Sequence, residues 1–198
     1  MSNIKHWIQT YRGQKFFPLD ADPGAVDILD IARALSMLCR YVGHVDRFYS
    51  VAEHCVRVSW KLEDRGFGLE TQRWGLLHDA SEAYLGDVSR PVKHQAQLGG
   101  YRDAEARLQT VIAVAFDLRP TEPPEVTAMD SEILGTEAFY LKSPIHPDWH
   151  KTTATGRLDA PWKLGWFDRL GWSPAKAERE FLSRFRFLWR FSMPGRYL

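Results

Sequence analysis

Apolar residues three and four positions apart recur along most of this chain, and that spacing calls for helices. "VDILDIARALSMLCR" puts Ile28, Ile31, Leu35 and Leu38 on one helical face, with Asp27 or Asp30 suited to cap its start. In "YSVAEHCVRVSWKL", Ser50 is followed three positions later by Glu53, a capping-box pattern that starts a helix at Ser50. His54 then falls at the end of the first turn, near Val51, Cys55 and Val58. "DRGFGLE" breaks the chain before a helix carrying His78, and "YRDAEARLQTVIAVAFDL" continues with Ala104, Leu108, Val111, Ile112 and Ala115 as a stripe. The second proline pair of "RPTEPPEV" suits the start of a helix over roughly 124–142, with Val126, Met129, Ile133, Leu134 and Leu141 inward. Ser173 and Pro174 read as the cap and first residue of a last helix with a stripe of Ala177, Phe181, Phe185, Leu188 and Trp189. No segment alternates well enough to form a strand. The expectation is an all-α fold, one domain over residues 1–198, with a core of about 27–142 and a packing helix of about 173–192.

Composition narrows the function. A chain of 198 residues, 44% hydrophobic and 26% charged, belongs with soluble globular proteins. A formal net charge of +1 argues against a broad basic face for long nucleic acid, while leaving room for a local pocket for a small anion. No apolar run approaches the ~20 residues that cross a bilayer. "MSNIKHWIQTYRGQKFF" lacks the apolar centre of a signal peptide. Cys39 and Cys55 have no C-x-x-C spacing, so neither a disulfide scaffold nor a zinc knuckle is expected. A reducing compartment follows, the cytoplasm of a cell or of an infected host.

Chemistry concentrates in "RWGLLHDASEAYLGDVSRPVK", where an apolar run leads into His78, Asp79 and Glu82, with Asp87 further on. Ionisable groups beside leucines are costly unless their desolvation is compensated. On a regular helix His78 and Glu82 lie one turn apart on one side, with Asp79 rotated by about 100°. Imidazole nitrogen with carboxylate oxygen suits Zn²⁺, Mn²⁺, Fe²⁺ or Co²⁺. Further ligands must come from other helices. His54 stands among apolar neighbours, and Asp130 sits in the stripe of Val126, Met129, Ile133 and Leu134, where an unpaired carboxylate is expensive.

The order His54, His78-Asp79, Asp130 resembles the HD-domain superfamily of metal-dependent phosphohydrolases. "HDASEAYLGD" resembles the metal and catalytic segment of bacterial 5′-deoxynucleotidases, and "DIARALSMLCRYVGHVDRFYSVAEH" resembles small HD hydrolases of bacteria and phages, relatives of viral dATP triphosphohydrolases. The likeness spans roughly residues 27–142. It implies His54, His78, Asp79 and Asp130 as metal ligands, Glu82 orienting or deprotonating a water, and Asp87 protonating the leaving oxygen or gripping the sugar. It also implies Arg40 on the phosphate, and Lys93 is read beside it as a second phosphate cation. A tryptophan follows the arginine in the monophosphatases to exclude the ribose 2′-hydroxyl; here Tyr41 stands in its place. His44 and Arg47 offer further phosphate contacts, which favours a triphosphate such as dATP over a monophosphate. Additional Mg²⁺ or Mn²⁺ on the substrate phosphates and a homo-oligomer are further implications.

Other readings remain alongside. Trp149, Trp162, Trp166 and Trp172 suit packing of the last helix better than base stacking, and Glu137 suits a supporting partner of the site. An HD module that senses nucleotide without turnover would have no need of Glu82 and Asp87. A di-iron oxygenase would want more helical histidines than His54 and His78.

Overall fold

The computed structural model describes residues 6–151 and 170–191. The fold is all-α, as the stripes predict. Its helices are α1 (Ile28–Met37), α2 (Val51–Asp64), α3 (Leu69–Leu77), α4 (Glu82–Leu85), α5 (Arg90–Lys93), α6 (Gly99–Ala115), α7 (Pro124–Leu141) and α8 (Pro174–Trp189). No described helix is long and apolar enough to cross a membrane.

Side-chain oxygens set several of the starts. Asp27 accepts from the Leu29 amide, Ser50 from Glu53 and Ser173 from Lys176, satisfying donors a helix leaves free in its first turn. Proline opens α7 and α8, where its missing amide costs nothing.

α2 is the axis of the molecule. Every residue from Val51 to Ser59 is buried, and α1, α3, α7 and α8 pack around it. The packing of α2 against α3 depends on Gly75. A Cβ there would come within 2.4 Å of Leu62 Cδ1 and 3.3 Å of Ser59 Cα. The core continues through Ile31, Leu35, Trp74, Leu77, Ile112, Ile133, Phe181 and Phe185.

One element departs from the sequence expectation. Two short strands, β1 (Ile8–Gln9) and β2 (Lys15–Phe16), pair antiparallel with Ile8 opposite Phe16. Alternation is not what makes this hairpin. Gly13 takes a positive φ of 79° in its turn, the Arg12 amide donates to Asp30 on α1, and Phe16 stacks on Tyr84 with ring centroids 4.0 Å apart. Contacts with the helical core thus hold strands too short to be stable alone.

Candidate metal centre

His54 is carried on the buried face of α2, one turn beyond the Ser50 cap. Its Nδ1 lies 2.6 Å from Glu137 Oε1 on α7. His78 caps the C-terminal end of α3, and its Nδ1 lies 3.0 Å from the Gly75 carbonyl one turn back. A carboxylate and a carbonyl accept, so each Nδ1 carries a proton and each ring turns its Nε2 inward, where the neighbouring carboxylates favour a positive charge. The two Nε2 atoms are 3.2 Å apart. Two lone pairs at that distance repel unless a cation or a proton lies between them.

Carboxylates complete the group. Asp79 Oδ2 is 3.2 Å from His78 Nε2 and 3.7 Å from His54 Nε2. Ligand atoms of His54, His78 and Asp79 all fall within 4.8 Å of one another, so these three could hold a metal ion. Asp130 Oδ1 lies 3.2 Å from His54 Nε2, beside that set of three rather than within it. Atoms bound at about 2.1 Å around one transition ion stand roughly 3.0–3.4 Å apart; the three 3.2 Å separations fall in that range, the 3.7 Å between His54 and Asp79 exceeds it, and the nitrogen and oxygen donors suit such an ion.

The backbone after α3 is tighter than the continuous helix the sequence suggests. Ala80 donates to Leu77, Glu82 to Asp79, Ala83 to Ala80 and Tyr84 to Ser81, all three residues apart. In such turns residues i and i+3 share a face, which aligns Glu82 with Asp79 rather than with His78. Glu82 is 5% exposed, and among the described residues its Oε2 has no hydrogen-bond partner. Burial, then the charges of Asp79 and Asp87, push its carboxyl up to about 9. Burial also raises Asp87. Against the opposing effect of burial, His78 holds Asp79 far below the ordinary carboxylate range, and hydrogen bonding to His54 does the same for Asp130.

Arg40 reaches the cluster through a closed loop. Its amide donates to the Tyr49 carbonyl and the Val51 amide to the Leu38 carbonyl, so the loop leaves and returns at one place. Tyr41, Val42 and Gly43 turn the chain with φ of 59°, 55° and 77°, a conformation that costs a β-branched residue such as Val42 most. The Arg40 guanidinium is 3.3 Å from Asp79, 3.5 Å from Glu137 and 4.0 Å from Asp130.

Glu137 is the hub behind the histidine. It accepts from Tyr49 at 2.8 Å and Tyr41 at 2.6 Å as well as from His54. Despite complete burial, Arg40 and then His54 keep it ionised, holding its carboxyl down to about 2. A carboxylate in this position fixes the tautomer and orientation of a ligating histidine.

The remaining sequence-selected residues divide. Lys93 lies 2.7 Å from Glu105 and 3.7 Å from Glu82, at the edge of the carboxylates. His44 is exposed, and its carbonyl accepts from Lys142. Arg47 is exposed with its stem against Gly171, where an added Cβ would stand 2.9 Å from Arg47 Cδ. Among the described residues, neither His44 nor Arg47 has a hydrogen bond or ion pair with the cluster. Trp172 packs edge-on against Trp60 beside α8, in keeping with the packing reading, while Trp149 stands edge-on to Tyr41. Trp162 and Trp166 lie outside the described residues. Sequence reasoning missed Arg90, whose guanidinium is 2.7 Å from Asp130 Oδ2; its one signal was a basic residue three positions before Lys93.

Among known proteins, the chain is 36% identical over 131 residues to the uncharacterized protein YfdR of Escherichia coli (strain K12), spanning 66% of this chain and 70% of that one. It is 35% identical over 122 residues to an uncharacterized protein of Rhodobacter capsulatus, spanning 59% of this chain and 61% of that relative. No protein-family model matches the chain.

Proposed function

We propose, on the premise that the chain belongs to the family of Escherichia coli YfdR, that it is a metal-dependent phosphohydrolase of the HD-domain type acting on deoxynucleotides, with a dATP-type triphosphate as preferred substrate. The observation that carries this reading is the pair of inward Nε2 atoms 3.2 Å apart, both Nδ1 positions already committed to acceptors. Such an arrangement asks for a cation, and Asp79 and Asp130 supply the charge that would keep one there.

His54, His78, Asp79 and Asp130 would hold a divalent transition ion. When bound, it supplies acidity to a coordinated water near neutral pH and neutralises charge on a phosphate oxygen. Hydrolysis forms a bond from the water oxygen to the α-phosphorus and breaks the bond from that phosphorus to the sugar O5′. The proton that leaves the water is matched by one gained at O5′. Glu82, with its unpartnered oxygen on the face of Asp79, takes the role of orienting the water; it would accept the water's proton only once a cation at the cluster offset the Asp79 charge that helps raise its carboxyl. Asp87, raised by burial, is suited to return a proton to the departing oxygen or to hold the sugar. Arg40 contributes a planar set of donors to the phosphate.

A deoxynucleoside 5′-monophosphatase is the second reading. It draws support from Arg47, whose stem lies against Gly171, and from Lys93, already paired with Glu105. A panel of deoxynucleotides screened with Mn²⁺, Co²⁺, Zn²⁺ and Mg²⁺ tests the proposal, with products resolved as triphosphate, pyrophosphate or orthophosphate. Asp79→Ala is expected to remove bound metal and slow turnover roughly a thousand-fold, on the order of 4 kcal/mol in the barrier. Full activity in that variant would sink the scheme. Nucleotide binding without turnover for every ion would instead favour a sensing module.

A further inference from the structure

The cations around the cluster are not equally free. Arg40 is turned inward, its side chain 12% exposed among Asp79, Asp130 and Glu137. Lys93 is held by Glu105 and approaches Glu82. Arg90, the first residue of α5, has a side chain 55% exposed. Its only side-chain hydrogen bond among the described residues runs from one terminal nitrogen to Asp130 Oδ2 at 2.7 Å. The other oxygen of that carboxylate is the one 3.2 Å from His54 Nε2. A guanidinium carries five N–H donors in a fixed plane, so one contact leaves most of them for another anion.

The backbone under Arg90 is anchored. The Val92 and Lys93 amides both donate to the Ser89 carbonyl, and Arg102 on α6 donates to the Lys93 carbonyl at 2.7 Å. Arg90 therefore presents its donors from a fixed base, one carboxylate's width from the candidate ligand atom of Asp130.

We propose that Arg90 is a specificity-determining residue that takes the non-reacting phosphates of a polyphosphate chain, making nucleoside 5′-polyphosphates, rather than monophosphates, the ligand class of this site. The inference rests on the phosphohydrolase reading for the location of the reacting phosphate. A monophosphate has all its charge at the cluster, within reach of Arg40. Only a longer chain has charge left over to meet donors on the outer side of Asp130.

The test uses inert anions on the full chain loaded with Mn²⁺ or Co²⁺. Orthophosphate is compared with tripolyphosphate, the latter supplied as its magnesium complex, by calorimetry on the wild type and Arg90→Gln. Metal content is measured before and after. The wild type is expected to bind tripolyphosphate about tenfold or more tighter than orthophosphate, as one additional charge-assisted contact allows, and Arg90→Gln to lose that preference. Orthophosphate and metal affinities should stay within about twofold. Equal affinity for the two anions in the wild type, or an unchanged preference in the variant, overturns the proposal. So does a variant that weakens metal and both anions alike, because Arg90 then only orients Asp130. A retained tripolyphosphate preference with no turnover of any nucleotide would defeat the hydrolase reading while leaving this assignment standing.

Discussion

Glu53 and His54 are neighbours on α2, both without exposed surface, and they serve networks of opposite character. Behind the helix, Glu53 accepts from Arg57 through Nε at 3.1 Å and a terminal nitrogen at 2.7 Å, and from the Gly171 and Trp172 amides at 3.2 and 2.7 Å. Close by, Arg184 on α8 is divided among Ser59, Glu63 and Gln72. Neither Glu53 nor Arg184 has a buried polar atom left unpartnered. In front, Asp79, Asp130, Glu137, Glu82 and Asp87 crowd around two histidines and Arg40, and among the described residues both Glu82 Oε2 and Arg40 Nε lack hydrogen-bond partners. Pairing that is complete ties α8 to α2 and is finished when folding is. Pairing that is incomplete, with acids in excess of cations, has capacity left for a ligand.

The comparison breaks most readily behind α2. Glu53→Ala removes the carboxylate that accepts from Arg57 and from the Gly171 and Trp172 amides, which should cost about 3–5 kcal/mol of stability. For a chain of this length that corresponds to a fall in melting temperature on the order of 10 °C. Metal content of the protein that remains folded should not change. If this variant lost metal at unaltered stability, the two sides of α2 would not be separate networks.

How these networks read in the sequence depends on the range of the contacts. Helix starts at Asp27, Ser50, Pro124 and Ser173 are local, since capping and proline placement involve residues only a few apart, and they stand where expected. His54, His78 and Asp79 were legible because burying them beside leucines demands compensation. The turn after Leu77 was not, because apolar spacing does not distinguish three-residue from four-residue bonding over so short a stretch. Gly75 gave no signal of its own, although its missing Cβ admits α2 and its carbonyl orients His78. Tyr49 and Arg90 depend on partners 88 and 40 residues away, beyond any local pattern. His44 and Arg47 show the converse, since nearness to Arg40 along the chain does not survive the left-handed turn at Tyr41–Gly43.

In front of α2 the expected pattern is reversed, with a large effect on metal and a small one on folding. Glu137→Gln keeps the shape and an acceptor for His54 but removes the charge that sets the ring. Metal affinity, measured by calorimetry with Mn²⁺, should fall about 10–100-fold. Unfolding followed in the presence of chelator should shift by no more than about 1 kcal/mol, because Arg40 loses one of three acidic partners and no buried charge is left alone. An unchanged metal affinity would mean that Glu137 is a packing group like Glu53, and the contrast between the two faces would fail.

The smallest effect sharpens the boundary between the networks. Tyr49 is fully buried and donates to Glu137 Oε1, the oxygen that also accepts from His54 Nδ1. Tyr49→Phe removes one donor from an acceptor that retains another, leaving no polar atom stranded, so stability should fall by about 1 kcal/mol. The carboxylate keeps its charge and its hold on His54, so metal affinity should move by less than about threefold, well inside the range expected for loss of the charge itself. Equal losses in Tyr49→Phe and Glu137→Gln would show that the number of hydrogen bonds at Glu137 orients the histidine. A small loss in the first and a large one in the second would assign that task to the carboxylate charge, the property that a buried acid behind an imidazole is positioned to exert.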